Sequence, residues 1–191
     1  LRNVCLGLLM EIADAPLRAV CLRQFDEADN MTDMLAAMTA FANCECPERN
    51  IVLDRFYTRW HAESLVIDKW LVAQSTSRLP SALTEVRRLL THASFDLRNP
   101  NKVRSLIGGF CQSNPVHFHA ADGSGYAFAA DQICALDPIN PQIAARLARG
   151  FDRWRKFDSC RQSHARAALE SIRALVTLSK DTSEVIDKAL R

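Results

Sequence analysis

Apolar residues recur every three to four positions along nearly the whole chain. Polar residues lie between them, and short breaks of Asn-Pro, Gly or Asp stop one run before the next begins. That period is the mark of amphipathic helices, and no stretch alternates in the two-residue rhythm of a half-buried strand. Helices are predicted over 2–14, 16–28, 31–42, 48–61, 63–75, 81–93, 100–111, 124–135, 141–155, 158–176 and 182–190,.

The first of these is unlike the rest. In "LRNVCLGLLMEIA" the hydrophobes at 1, 4, 5, 6, 8, 9, 10 and 12 run almost all the way round the helix, which predicts burial on more than one side. Chain termini are usually exposed. The expectation is therefore a fragment whose preceding part covers that face, and the chain opens without an initiator Met.

Two later segments answer each other at a spacing of 41 residues: "NPNKVRSLIGGF" from Asn99 and "NPQIAARLARGF" from Asn140. Leu106 matches Leu147, Gly109 matches Gly150, and Phe110 matches Phe151. Asn offers an N-cap oxygen and Pro suits the first helical position, so both segments read as helix starts. Helix pairs recurring near this length are the unit of stacked α-solenoids, where each pair buries its apolar face on the next. The predicted fold is all-α, with stacked antiparallel helix pairs forming an armadillo- or HEAT-like superhelix, as one helical domain over 1–191.

In the first Asn-Pro helix Val103, Leu106, Ile107 and Phe110 form the buried stripe and leave Arg104 on its flank. In the second, Ile143, Leu147, Phe151 and Trp154 are buried, while Gln142, Arg146, Arg149 and Arg153 share another face. The plain reading is a solvated polar surface. The sharper one is an Arg-lined concave face for carboxylates or peptide termini, which suits the planar guanidinium fork.

Composition narrows the partners. A hydrophobic share of 48% and a net charge of +2 describe a globular chain without a field strong enough to imply nucleic acid or an anionic membrane,. No apolar run reaches the roughly 20 residues of a membrane span. Seven scattered cysteines, an odd number, fit free thiols in a reducing, cytoplasmic setting,.

Candidate chemistry is thin. Of the histidines at 61, 92, 117, 119 and 164, none stands in H-E-x-x-H, and His117-x-His119 would share a face only on a strand. Cys44-x-Cys46 has no second pair at zinc-ligand spacing,. "DGSG", 122–125, lacks the Lys-Ser/Thr of a phosphate loop and reads as a Gly turn with Ser124 as N-cap,. "RFYTRW" and "FDRWRKFD" interleave basic and aromatic residues, but Phe56, Trp60, Phe151 and Trp154 fall at core spacing,.

Taken together, "ADNMTDMLAAM", "RFYTRW", "LVIDKW", "FDLRNPNKVRSLIGGF", "NPVHFHAADGSGYAF", "NPQIAARL", "RWRKFD" and "LSKDTSEVIDKAL" occur in an order that spans nearly all the chain. They resemble the C-terminal helical domain of bacterial-type aminopeptidases of the M1 zinc metallopeptidase family. Met34 stands where that family often has Arg, and Thr182-Ser183 replace a bulkier apolar-aromatic pair.

The resemblance implies the last part of a longer enzyme that removes N-terminal residues from peptides. Its zinc would be held by H-E-x-x-H and a downstream Glu in a catalytic domain that this chain lacks, so the chain alone should be inactive and hold no metal. The expected partners are that catalytic domain and peptide substrates, with no nucleic acid and no membrane span. It further implies that the helical domain caps the active site, with Arg104, Arg146 and Gln142 lining the substrate cavity. The rival class is a free-standing α-solenoid scaffold for a peptide or protein partner.

Overall fold

The computed structural model describes residues 1–191 and contains helices and turns without a strand. The helices are α1 (Arg2–Leu9), α2 (Ala15–Glu27), α3 (Met31–Ala42), α4 (Glu48–Trp60), α5 (Ser64–Ser75), α6 (Ala82–Leu89) and α7 (Pro100–Val103). A π-helical turn (Arg104–Gly108) carries α7 into α8 (Gly109–Ser113), and α9 (Pro115–Phe118), α10 (Ser124–Leu136) and α11 (Pro141–Ala148) follow. Two 3-10 turns, Arg149–Phe151 and Trp154–Lys156, lead to α12 (Ser159–Arg173) and α13 (Lys180–Leu190).

Helix starts follow the cap logic of the sequence. Asn99 Oδ1 accepts from the Asn101 amide at 3.0 Å and Asn140 Oδ1 from the Ile143 amide at 3.2 Å, with Pro at the first helical position each time. Asp14, Asn30, Asp158 and Ser179 cap α2, α3, α12 and α13 in the same way,. Consecutive helices stack on one another, α2 on α3, α3 on α4 and α4 on α5, and later α10 on α11 and α12, and α13 on both α11 and α12. Their inward stripes merge into one continuous core from Leu6 to Ala189, as stacked helix pairs require.

The helix predicted over 100–111 forms, with a π turn in its middle. There the Ser105 carbonyl accepts from Ser75 Oγ at 2.9 Å, so a group displaced from the regular ladder is satisfied from α5. A Cβ on Gly109 would overlap the same hydroxyl; glycine is needed for that close approach. Asn114 Nδ2 donates to the carbonyls of Ser75 at 3.0 Å and Ser77 at 2.8 Å, and Ser77 Oγ donates to Ala42 at 2.7 Å. This buried polar chain ties the ends of α3, α5 and α8 together.

Several expectations are corrected. The helix predicted over 141–155 stops at Ala148. Gly150 packs against the Phe118 ring and the Cys111 carbonyl, and the following turn lets Trp154 Nε1 and Arg155 Nη1 both donate to the Ala189 carbonyl, at 2.9 and 2.7 Å. Those long-range contacts outweigh local helical periodicity. Trp60 is only half-buried and its indole nitrogen finds no partner; it lies at the rim, while Phe56 and Phe151 are fully enclosed. Ser124 is the first residue of α10 rather than its cap: its amide and hydroxyl both donate to Asp122 Oδ1, at 3.0 and 2.7 Å. Gly123 supplies the left-handed φ of 74° that the turn needs,.

The first helix departs most. It ends at Leu9, and only Leu6 and Met10 of this stretch are buried, whereas Leu8 is 68% and Ile12 70% exposed. Within these residues nothing covers the second apolar face. The two departures from the family pattern are absorbed: Met34 enters the core, and Thr182 Oγ1 donates to the buried Asp137 carboxylate at 2.5 Å.

Candidate functional site

Three clefts carry the polar residues singled out by the sequence. Arg104 leaves the first residue of the π turn and stays exposed, with Asn101 Oδ1 accepting from it at 3.1 Å. It lines a cleft of about 680 Å3 with Leu65, Asp68, Lys69 and Val72 of α5 and Leu35 of α3. Beneath the cleft Lys102 Nζ bridges Asp68 Oδ1 and the Ser64 carbonyl, each at 2.7 Å. That nearly enclosed ion pair fixes α7 on α5, and so fixes where Arg104 starts.

Gln142 and Arg146 lie one turn apart on the exposed face of α11 and line a second cleft, of about 610 Å3. Arg149 and Arg155 join them from the 3-10 turns, and Glu184 and Lys188 from α13. Four cations against Asp152 and Glu184 leave this cleft positive. Gln112 Nε2 donates to the Arg146 carbonyl at 3.1 Å and ties α8 to α11. Arg104 is therefore not brought into one pocket with Arg146 and Gln142; the two clefts share no lining residue. Arg153, expected on the Arg146 face, instead lines a third cleft beside the second, because the helix breaks before it.

The contributions of Asp68, Lys102, Lys188 and Arg155 were missed by sequence reasoning. They come from helices far apart in the chain, and spacing along one helix carries no signal of them.

The histidines part company. His119 Nδ1 meets the Tyr126 hydroxyl at 2.8 Å, and the ring stacks on Phe157 at 3.9 Å. Burial, and then the nearby Arg161 guanidinium, hold its pKa below the ordinary value,. His119 is thus neutral at neutral pH, and the stability it favours is present above pH 6.5 and declines as pH falls below that toward its lowered value,. His117 Nε2 is buried without a partner. The thiols of Cys21 and Cys46 are both pushed up to about 12, chiefly by burial and then by the neighbouring cysteines, which leaves them poor nucleophiles. All seven cysteines are free. No three His, Cys, Asp or Glu side chains converge as metal ligands, and no helix is long and apolar enough to cross a membrane.

The family model described as a domain of unknown function (DUF3458_C) with ARM repeats matches residues 1–191. The chain belongs to the DUF3458_C family. As a DUF3458_C domain it is 45% identical to aminopeptidase N of Escherichia coli over 191 residues, all of this chain and 22% of the relative. It is 38% identical to aminopeptidase N of Caulobacter vibrioides over 190 residues, again 22% of that protein. Among solved structures it superposes on Legionella pneumophila aminopeptidase A, determined with aspartic acid, with a TM-score of 0.92, 33% identity, and coverage of 98% of this chain and 22% of that one. The domain thus spans about a fifth of the length of the aminopeptidases it matches.

Proposed function

We propose that this DUF3458_C domain is the C-terminal part of a zinc-dependent M1 aminopeptidase that releases N-terminal residues from peptides. In this reading its helical layers cap the active site and line the substrate passage. The observation that carries it is identity of 45% to an aminopeptidase N along the whole chain. The residues present do not fit the zinc, since none converge as ligands; its site lies in the remainder of the polypeptide, and no chemical step is assigned to this domain. Seven unpaired thiols suit a reducing compartment, and we place the enzyme in the cytoplasm.

The domain's contribution is positioning. Arg104 in one cleft and Arg146 with Gln142 in the other offer forked donors to carbonyls and to the far carboxylate of a bound peptide,. In the intact polypeptide, Arg104→Ala or Arg146→Ala should lower kcat/KM for longer peptides by about tenfold and leave a single-residue chromogenic amide nearly unchanged. Equal losses on both substrates would remove the lining role. An intact polypeptide that releases no N-terminal residue from either would remove the aminopeptidase reading itself.

The exposed apolar face of α1 separates this reading from a free-standing scaffold. Val4 and Leu8, with Leu35 and Ala36 of α3, line a groove of about 580 Å3, and we assign it to the rest of the polypeptide. Burying one such leucine is worth about 2 kcal/mol. Leu8→Lys should therefore lower the melting temperature of the intact polypeptide and leave that of the separate domain unchanged; no change in either favours the scaffold.

A further inference from the structure

The stretch Asn114–Phe128 carries more chemistry than a cap and a turn require, and part of it faces the third cleft, of about 510 Å3, for which the positioning role above has no use. One wall is aromatic. His119 and Phe157 lie stacked, their planes 27° apart, and the Phe118 ring meets His119 edge-on at 4.8 Å. With Nδ1 engaged by Tyr126, the His119 Nε2 atom makes no hydrogen bond within the chain. The opposite rim is polar. Gln112 stands at one end, and Arg149 and Arg153 come from the broken end of the second Asn-Pro helix.

The charges on this rim differ in what holds them. Arg149 is loosely paired with Asp152, at 3.6 Å and well exposed, a geometry worth little in water. The Arg153 side chain has no ion pair and no hydrogen bond within the chain. It is a free guanidinium beside a ring-lined hollow. Asp152 also lines the cleft and lowers its net charge to about that of one cation, which suits a monoanion and disfavours a phosphate dianion.

We propose that this cleft binds an aromatic carboxylate, the group presented by a peptide ending in Phe or Tyr. The ring packs against the exposed edges of the half-buried Phe157 and His119, which Phe118 backs from the core, where edge-to-face and offset contacts are favourable, while the carboxylate takes the fork of Arg153 with Arg149 beside it. On the ring side the Arg161 guanidinium is already engaged, its Nε donating to the His119 carbonyl at 2.6 Å and its Nη1 paired with Asp158 at 2.5 Å, and it does not line the cleft. The break at Gly150 gains a role here: a helix continued through 155 would carry Arg153 along the face of Arg146 instead of to this cleft. The inference stands apart from the aminopeptidase reading, because binding is read without turnover.

The test is isothermal titration calorimetry of the intact polypeptide with N-acetylphenylalanine, with its C-terminal amide, and with N-acetylalanine. The acid should bind, and the two analogues, lacking charge or ring, should each bind about tenfold more weakly. Arg153→Gln, an exposed substitution that leaves the fold intact, should weaken the acid by about tenfold and leave the amide unchanged. Phe157→Ala should weaken both acid and amide. Equal binding of acid and amide, absence of binding by the acid, or an Arg153→Gln protein that binds the acid like the parent would each overturn the proposal.

Discussion

A Gly125→Ala chain should melt about 6–12 °C below the parent chain, the consequence of roughly 3 kcal/mol of lost stability in a domain of this size. The reason is backbone, not side chain. A Cβ at Gly125 would sit 2.5 Å from the Phe118 carbonyl oxygen and 2.7 Å from Phe118 Cα, and closer still to the His117 carbonyl. No rotamer change relieves contact with main-chain atoms, so α10 must move away from α9, and Tyr126, the next residue, loses its register with His119. Far-ultraviolet circular dichroism during heating reads the loss.

Two other glycines serve as controls of opposite kind. Gly7, in α1, has nothing within 4 Å of the place a Cβ would occupy, so Gly7→Ala should be neutral or raise stability by about 0.5–1 kcal/mol through helix propensity. Gly109→Ala meets the Ser75 hydroxyl, the far end of a small side chain, and its damage should be partly relieved by Ser75→Ala. If Gly125→Ala melts like Gly7→Ala, α9 and α10 do not cross closely enough at Gly125 to exclude a Cβ.

What was legible in the sequence was local. Asn99, Asn140 and the Pro after each marked true helix starts because a cap needs only residues two or three apart,. Arg104 and Arg146 were placed on exposed flanks correctly because the buried stripe of one helix fixes the opposite face,. What failed depended on partners far along the chain. The π turn is stabilised by Ser75, thirty residues away, and the break at Gly150 by Phe118 and Ala189. Ser124 reads as the cap in the sequence because Ser is a preferred capping residue, but the neighbouring Asp122 carboxylate accepts from its amide and hydroxyl instead. Whether Arg104 and Arg146 share one pocket is a question of how helices stack, and periodicity within either helix has no bearing on it.

The last helix shows the same long-range logic at a titratable group. Asp137, at the end of α10 and almost fully buried, accepts from the Ser179 amide at 2.7 Å and from the hydroxyls of Ser179 and Thr182 at 2.5 Å each. Burial alone would raise its pKa, but the donors of Ser179 and Thr182 outweigh it and hold the carboxyl below its ordinary 3.8,. Asp137→Ala should cost about 3 kcal/mol, since it strands the buried Thr182 hydroxyl and two half-buried donors of Ser179 at the start of α13,. A group with a depressed folded pKa gives stability that is complete above its unfolded value and is lost as pH falls through the folded one. The melting gap between the parent chain and Asp137→Asn, wide at neutral pH, should therefore narrow once pH drops below 3.8, where the parent carboxylate also becomes neutral. Other carboxylates titrate in both proteins and cancel in the difference. A gap that stays constant from neutral to acid pH would mean that Asp137 is protonated in the fold throughout, and that the clamp on α13 holds without its charge.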